Sequence, residues 1–109
     1  MQKTKLGEFE ELVLLTVIVL QDGAYGVAIK KELEDRMDTS LSVGSVQSAL
    51  KRMEEKGFLT SEFGEATKKR GGRRKRIYTA TPYGVRVLSE LKELRRSLWD
   101  AIPIRLQMI

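Results

Sequence analysis

The stretch at residues 58–80, FLTSEFGEATKKRGGRRKRIYTA, decides the fold predicted for this chain. Its two ends, FLTSEFGE at 58–65 and RKRIYTA at 74–80, are short runs of strand-forming residues. Between them, Gly71 and Gly72 can adopt the positive φ angles that the tip of a hairpin needs. The stretch therefore predicts a two-stranded β-hairpin.

The loop of this predicted hairpin concentrates seven of the chain's 20 Lys and Arg residues. Residues 66–76, ATKKRGGRRKR, contain seven Lys or Arg side chains and no acidic one. Since the net charge of the whole chain is +5, all the other residues together carry −2. Such a local cationic loop favours contact with polyanionic phosphate. The candidate phosphate-binding residues are Lys68, Lys69, Arg70, Arg73, Arg74, Lys75 and Arg76.

A helix with a small, polar leading edge is predicted before the hairpin, at about residues 42–56. Ser42 suits the N-cap, and Gly57 suits the position just past the C-terminus. Apolar residues recur at helical spacing along one face of this helix, namely Val46, Ala49, Leu50 and Met53. The opposite face carries the residues that we expect to meet DNA, namely Ser45, Gln47, Ser48, Lys51 and Arg52.

Three further helices complete the predicted order α-α-α-β-β-α. Apolar periodicity places the first at about residues 8–21 and the second at about 25–37, with a short polar link to the third. Thr81 and Pro82 are an N-cap and a first-turn proline, and they start a last helix that runs to about Ala101. Pro103 discourages its continuation, so the remaining residues are expected to form a short tail. The fold class predicted is mostly α within α+β, a winged helix-turn-helix.

This order gives each polar element a role on double-stranded DNA. A major groove admits one helix, and small residues at its start permit close approach, so Ser45, Gln47 and Ser48 are expected near base edges. A Gln side chain can pair with adenine, while Lys51 and Arg52 can reach phosphates. The alternatives are an ordinary solvated helix face, or an interaction module whose basic hairpin docks an acidic protein or an anionic lipid surface. Neither alternative requires the small, polar first turn.

The last helix carries a heptad-like apolar seam that predicts a homodimer. Its spacing of four and three residues is typical of helix pairing. The residues assigned to this interface are Val87, Leu91, Leu94, Leu98, Trp99 and Ile102. The alternative is that the helix folds back on its own domain. Trp99, with Leu15 of the apolar first helix, is a candidate lining of an effector pocket at the interface. Residues 1–80 are predicted to form the DNA-binding part, and residues 81–109 the dimerisation part, of one structural unit.

The composition argues against an enzyme. The chain contains no histidine and no cysteine, so the usual general base, the usual zinc ligands and the Ser-His or Cys-His pairs are absent. We therefore expect no catalytic residue, no cofactor and no metal. Residues 12–20 are apolar apart from Thr16 but too short to span a bilayer, and glutamates precede them. They are interpreted as a buried helix, and we expect no membrane partner and a cytoplasmic location.

Several segments in a fixed order resemble the PadR family of bacterial transcriptional regulators. They are LGEFE at 6–10, Tyr25-Gly26, SVGS at 42–45, ALKRMEEKGF at 49–58 and RIYTATPYG at 76–84. The resemblance extends over about residues 6–94, and the length resembles the short subfamily with one C-terminal dimerisation helix. It implies a dimeric repressor that binds a palindromic operator and is released by a small aromatic or lipophilic effector. Where the family usually has a DNA-facing tyrosine, this chain has Gln47.

Overall fold

The computed structural model describes residues 6–64 and 75–107, and its elements follow the predicted order. They are α1 (Glu8–Leu20), α2 (Gly26–Met37), α3 (Val43–Glu55), β1 (Leu59–Phe63), β2 (Arg76–Ala80), α4 (Pro82–Ala101) and α5 (Ile104–Gln107). A single 3-10 turn, Gln21–Gly23, links α1 to α2. The predicted winged helix-turn-helix, mostly α within α+β, is thus confirmed.

The core lies where α1, α2 and α3 meet below the hairpin. Every residue of the predicted apolar face of α3 is buried there, namely Val46, Ala49, Leu50 and Met53. α1 contributes Val13, Leu14 and Val17, and α2 contributes Ile29 and Leu33. Because the apolar face of α3 packs into this shared core, the polar face of α3 is turned toward solvent.

The turn between α2 and α3 is closed by one carboxylate. The Glu34 side chain accepts the backbone N–H of Leu41 at 2.8 Å and pairs with Lys30 at 3.0 Å. α2 ends at Asp38, which adopts the left-handed conformation with φ 54°. The link is short and well bonded, so the second and third helices are held closely, as a helix-turn-helix requires.

The wing is an antiparallel pair, with Phe63 opposite Arg76 and Ser61 opposite Tyr78. A single residue outside the two strands also pairs with the wing, since Tyr25 forms an isolated β-bridge with Ile77 of β2. The neighbouring Tyr78 N–H donates to the Ala24 carbonyl at 2.8 Å. The bridge ties the start of α2 to the wing. The sequence did not predict it, since one residue carries no periodicity.

α4 begins as predicted, and its start is anchored to the rest of the protomer. Thr81 Oγ1 accepts the Gly84 N–H at 3.0 Å, and the Tyr83 ring stacks on Phe58 with centroids 5.1 Å apart. Leu88, one residue after Val87 of the predicted seam, is buried in the core of the protomer. After Ala101 the expected tail forms one further turn, α5, since Pro103 starts a helix as readily as it ends one.

Candidate nucleic-acid interface

The first turn of α3 is capped by its own serines. Ser42 Oγ accepts the Ser45 N–H at 3.0 Å, as predicted for an N-cap. In return, the Ser45 hydroxyl donates to the Ser42 carbonyl at 2.9 Å. Gly57 follows the helix with a positive φ of 87°, the conformation expected just past a helix C-terminus. Ser45 therefore belongs both to the exposed leading edge and to the cap that orders it.

Gln47 lies against the start of α2. A Cβ added to Gly26 would come within 2.5 Å of Gln47 Nε2, closer than real side chains approach. Gly26 is thus the residue that makes room for the Gln47 amide.

A groove of about 450 Å³ separates α3 from the wing. Its lining consists of Gln47, Ser48, Lys51, Glu54, Arg76 and Tyr78. Lys51 is exposed and makes no ion pair with the part of the chain that the structure describes. Tyr78 forms the apolar floor, and burial raises the pKa of its phenol, so it stays uncharged. The groove brings together three residues predicted on α3 and one predicted on the wing.

Arg76 is held in this groove by two residues of β1, one of which also contacts α3. Its guanidinium carbon lies 4.3 Å from the centre of the Phe63 ring, and Arg76 Nη1 donates to Ser61 Oγ at 2.8 Å. Ser61 Oγ in turn donates to Glu54 Oε2 at 2.8 Å. No pattern in the sequence indicated these contacts, because they depend on the register of the two strands.

Lys75 occupies a different place from Arg76. Its ammonium nitrogen lies 3.9 Å from the centre of the Tyr25 ring, a cation–π contact. The other wing cations predicted to contact phosphate lie outside the described residues. They are Lys68, Lys69, Arg70, Arg73 and Arg74.

Arg52 is paired with a buried carboxylate of α1. Arg52 Nε donates to Glu10 Oε2 at 2.9 Å, and Lys56 Nζ reaches Glu10 Oε1 at 3.2 Å. Glu10 also accepts the Gly7 N–H at 2.8 Å, and its side chain is only 6% exposed. Burial raises the pKa of Glu10, but the Gly7 N–H, Arg52 and Lys56 outweigh it, so the pKa is lowered overall. Glu10 is therefore a buried link between the start of α1 and the C-terminal half of α3.

The second half of α4 has several exposed apolar side chains. Leu94 is 55% exposed, Leu98 61% and Trp99 65%, whereas Val87 packs against the core. On α1, Leu15, Ile18 and Val19 are exposed as well. α4 thus contacts its own domain along one face and leaves apolar side chains of another face exposed.

Leu15 and Trp99 do not meet within one protomer. Val85 of α4 lies beside Ile18 at the end of α1, whereas Arg95 Nη2 reaches Glu11 Oε1 near its start at 2.7 Å. The two helices are therefore antiparallel. Leu15 is one turn beyond Glu11 and Trp99 one turn beyond Arg95 in the opposite direction, which offsets them by roughly 12 Å along the axes. A pocket lined by both residues needs a second copy of the chain.

Over residues 6–64 and 75–107, no group of three or more acidic side chains is placed to hold a metal ion. None of the helices found there combines the length and the apolar character needed to cross a membrane.

A capped helix with an exposed polar face, set beside a two-stranded wing with a fixed arginine, defines the winged helix-turn-helix class of nucleic-acid-binding proteins. The model of the PadR-like family of transcriptional regulators matches residues 14–90, and the chain belongs to that family. Its function is therefore transcriptional regulation through DNA rather than catalysis. Among curated proteins, no significant match was found.

Solved structures of the same family share the fold. The PadR family regulator from Eggerthella lenta DSM 2243 is 28% identical with a TM-score of 0.67, over 94% of this chain and 88% of that one. A PadR family regulator from Clostridium difficile R20291 is 31% identical with a TM-score of 0.62, over 84% and 93%. A PadR-like regulator from Bacillus cereus strain ATCC 14579 has a TM-score of 0.70 at 24% identity, over 91% of each chain, a likeness of fold alone.

Proposed function

We propose that the protein is a dimeric, sequence-specific transcriptional repressor that acts in the cytoplasm on a palindromic operator. In this proposal α3 enters the major groove, with Ser45, Gln47 and Ser48 at base edges. The observation that supports the proposal is the groove between α3 and the wing. Its lining includes Gln47, Ser48, Lys51 and Arg76. A DNA backbone that leaves the major groove passes this point.

The proposed roles of the cations differ. Lys51 and Arg76 line the groove and are assigned to phosphates, together with the wing cations at residues 68–70 and 73–74. Lys75 contacts Tyr25 and Arg52 contacts Glu10, so each must exchange or share that partner to bind phosphate. Affinity is thus assigned mainly to the wing, and base selection to α3.

The dimer is proposed to form through the apolar seam of α4. Its seam consists of Val87, Leu91, Leu94, Leu98, Trp99 and Ile102, within the dimerisation part at residues 81–109. A two-fold axis there sets two α3 helices about 34 Å apart, one turn of DNA. A small aromatic or lipophilic effector is proposed to bind between Trp99 and the partner's Leu15, and to change that spacing.

The experiment measures binding of the full chain to duplex DNA from upstream of its own gene and to a scrambled duplex, at several salt concentrations. We expect tighter binding to the upstream DNA, with an affinity that falls steeply as salt rises. Replacing Arg73, Arg74 and Arg76 by Gln should weaken binding to both duplexes and lower the salt slope by about 0.9 for each phosphate that the variant no longer neutralises.

A Gln47→Ala variant is the matched control for specificity. It keeps every cation, so the salt slope should not change. The difference in affinity between the upstream and the scrambled duplex should become smaller. Equal binding of the wild type to upstream and scrambled DNA would contradict a sequence-specific regulator. Retention on heparin without binding to any duplex would instead favour the interaction module.

A further inference from the structure

The groove between α3 and β2 presents two cations from different elements. Lys51 projects from the exposed face of α3, and Arg76 is the first residue of β2. The acidic side chain that lines the same groove is Glu54, and its Oε2 is engaged by the Ser61 hydroxyl. The polar lining is completed by Gln47 and Ser48, both of which can donate hydrogen bonds to an anion.

Ser61 has a defined orientation in this groove. A serine hydroxyl has one proton and two lone pairs, and the geometry directs the proton to Glu54 Oε2 at 2.8 Å. A lone pair is then left to accept Arg76 Nη1, also at 2.8 Å. The Phe63 ring supports the guanidinium from one face at 4.3 Å. Arg76 is thus held on two sides before any ligand arrives.

A guanidinium held in this way suits a phosphate. It has five N–H donors in a rigid plane, and one bond to Ser61 leaves others to bind an oxyanion. An arginine that is already ordered loses little side-chain entropy on binding. The Ser61 hydroxyl also links Arg76 of the wing to Glu54 of α3.

We propose that Ser61 and Phe63 are positioning residues that preset Arg76 to bind, together with Lys51, one backbone phosphate of duplex DNA in this groove. This inference rests on the proposed function, in that the anion is a DNA phosphate. It does not require a particular operator, because a phosphate contact carries no base sequence.

The test is a double-mutant cycle with wild type, Ser61→Ala, Arg76→Gln and the double variant. Binding to a fluorescent duplex of random sequence is measured by anisotropy at several salt concentrations. Arg76→Gln should weaken binding and lower the salt slope by about 0.9. Ser61→Ala should weaken binding about threefold to tenfold, the range expected when one side chain must be ordered on binding. In the Arg76→Gln background, Ser61→Ala should have no further effect.

Further variants separate positioning from folding. Ser61→Thr keeps the hydroxyl and should bind duplex DNA with wild-type affinity. Thr60→Ala changes an exposed residue on the other face of β1 and should leave binding unchanged. Phe63→Leu alters an exposed ring and should repeat the loss of affinity, again only when Arg76 is present. This variant serves if Ser61→Ala does not fold, as judged by circular dichroism.

The outcomes distinguish this inference from the proposed function. Equal losses of affinity from Ser61→Ala with and without Arg76 would overturn the positioning role and leave DNA binding intact. So would wild-type affinity in both Ser61→Ala and Phe63→Leu. A wild-type protein that binds no duplex at low salt would overturn both the inference and the proposed function.

Discussion

At the scale of single residues, the position of the Gln47 side chain depends on Gly26 at the start of α2. Its amide occupies the space that a side chain on Gly26 would fill, with only 2.5 Å left to a Cβ. We predict that Gly26→Ala displaces Gln47 and changes the preferred operator bases, while the cations and the salt slope stay as they are. Selection of duplexes from a random pool by wild type and variant measures the change.

A matched control is available in the 3-10 turn. A Cβ on Gly23 would meet nothing within 4 Å, so Gly23→Ala should leave base preference unchanged. In a Gln47→Ala background, Gly26→Ala should also have no effect on preference. Identical selected sequences for wild type and Gly26→Ala would show that Gln47 does not read bases from this position.

Residue-level prediction succeeded where a local pattern was sufficient. Ser42 and Thr81 cap their helices as expected, because capping depends on a few consecutive residues. The contacts of Arg76 with Ser61 and Phe63 could not be predicted, since the long loop between the strands leaves their register open. The roles of the wing cations at 68–70 and 73–74 remain predictions.

At the scale of elements, Glu10 joins the start of α1 to the C-terminal half of α3. It is buried, accepts the Gly7 N–H and pairs with Arg52 and Lys56. We predict that Glu10→Gln lowers the free energy of unfolding by about 1–3 kcal/mol, since hydrogen bonds to a charged acceptor are removed while both cations can still reach water. Chemical denaturation at pH 7 measures the difference.

The same carboxylate predicts a pH dependence. Because the folded pKa of Glu10 is lowered from 4.5, its contribution is present above that value and is lost as the pH falls through the folded pKa. Wild type should therefore lose stability relative to Glu10→Gln as the solution is acidified below about pH 4.5. Glu8→Gln, an exposed change in the same turn, is the control and should follow wild type. A constant difference between wild type and Glu10→Gln at all pH values would contradict this assignment.

The bounds of helices with strong periodicity were predicted to within a few residues, whereas contacts between residues distant in the sequence were not predicted. α4 runs over Pro82–Ala101, as its Thr-Pro start indicated. Its apolar pattern did not show that Leu88 turns into the core while Leu94 stays exposed, because both positions fit one broad stripe. Which side of an amphipathic helix meets its own domain depends on where neighbouring elements end.

At the scale of the whole molecule, the chain has a polar surface and exposed apolar side chains elsewhere. The polar surface is the α3–wing groove, and the apolar side chains lie on the second half of α4 and on α1. The family membership places such a molecule on DNA, and two-fold symmetry would place two grooves on one duplex. Dimerisation would therefore convert two weak half-site contacts into one tight complex.

A charge introduced into the predicted dimer seam should therefore disrupt the dimer while the protomer stays folded. Leu98 is 61% exposed in the protomer, so Leu98→Asp should leave the fold and its thermal stability as a monomer intact. It should abolish the dimer, because an aspartate would lie unpaired in an apolar interface. Light scattering after size exclusion should give one protomer mass, and operator affinity should fall by about 10²-fold or more as the second half-site is no longer engaged.

Ser89→Asp is the control, since Ser89 is exposed on α4 but lies outside the predicted seam. It adds the same charge and should remain dimeric with nearly wild-type operator affinity. Because both variants make the same change in net charge, a difference between them reports position rather than general repulsion from DNA. A Leu98→Asp protein that stays dimeric would move the interface to the apolar face of α1, where Leu15→Asp would then be the disruptive change.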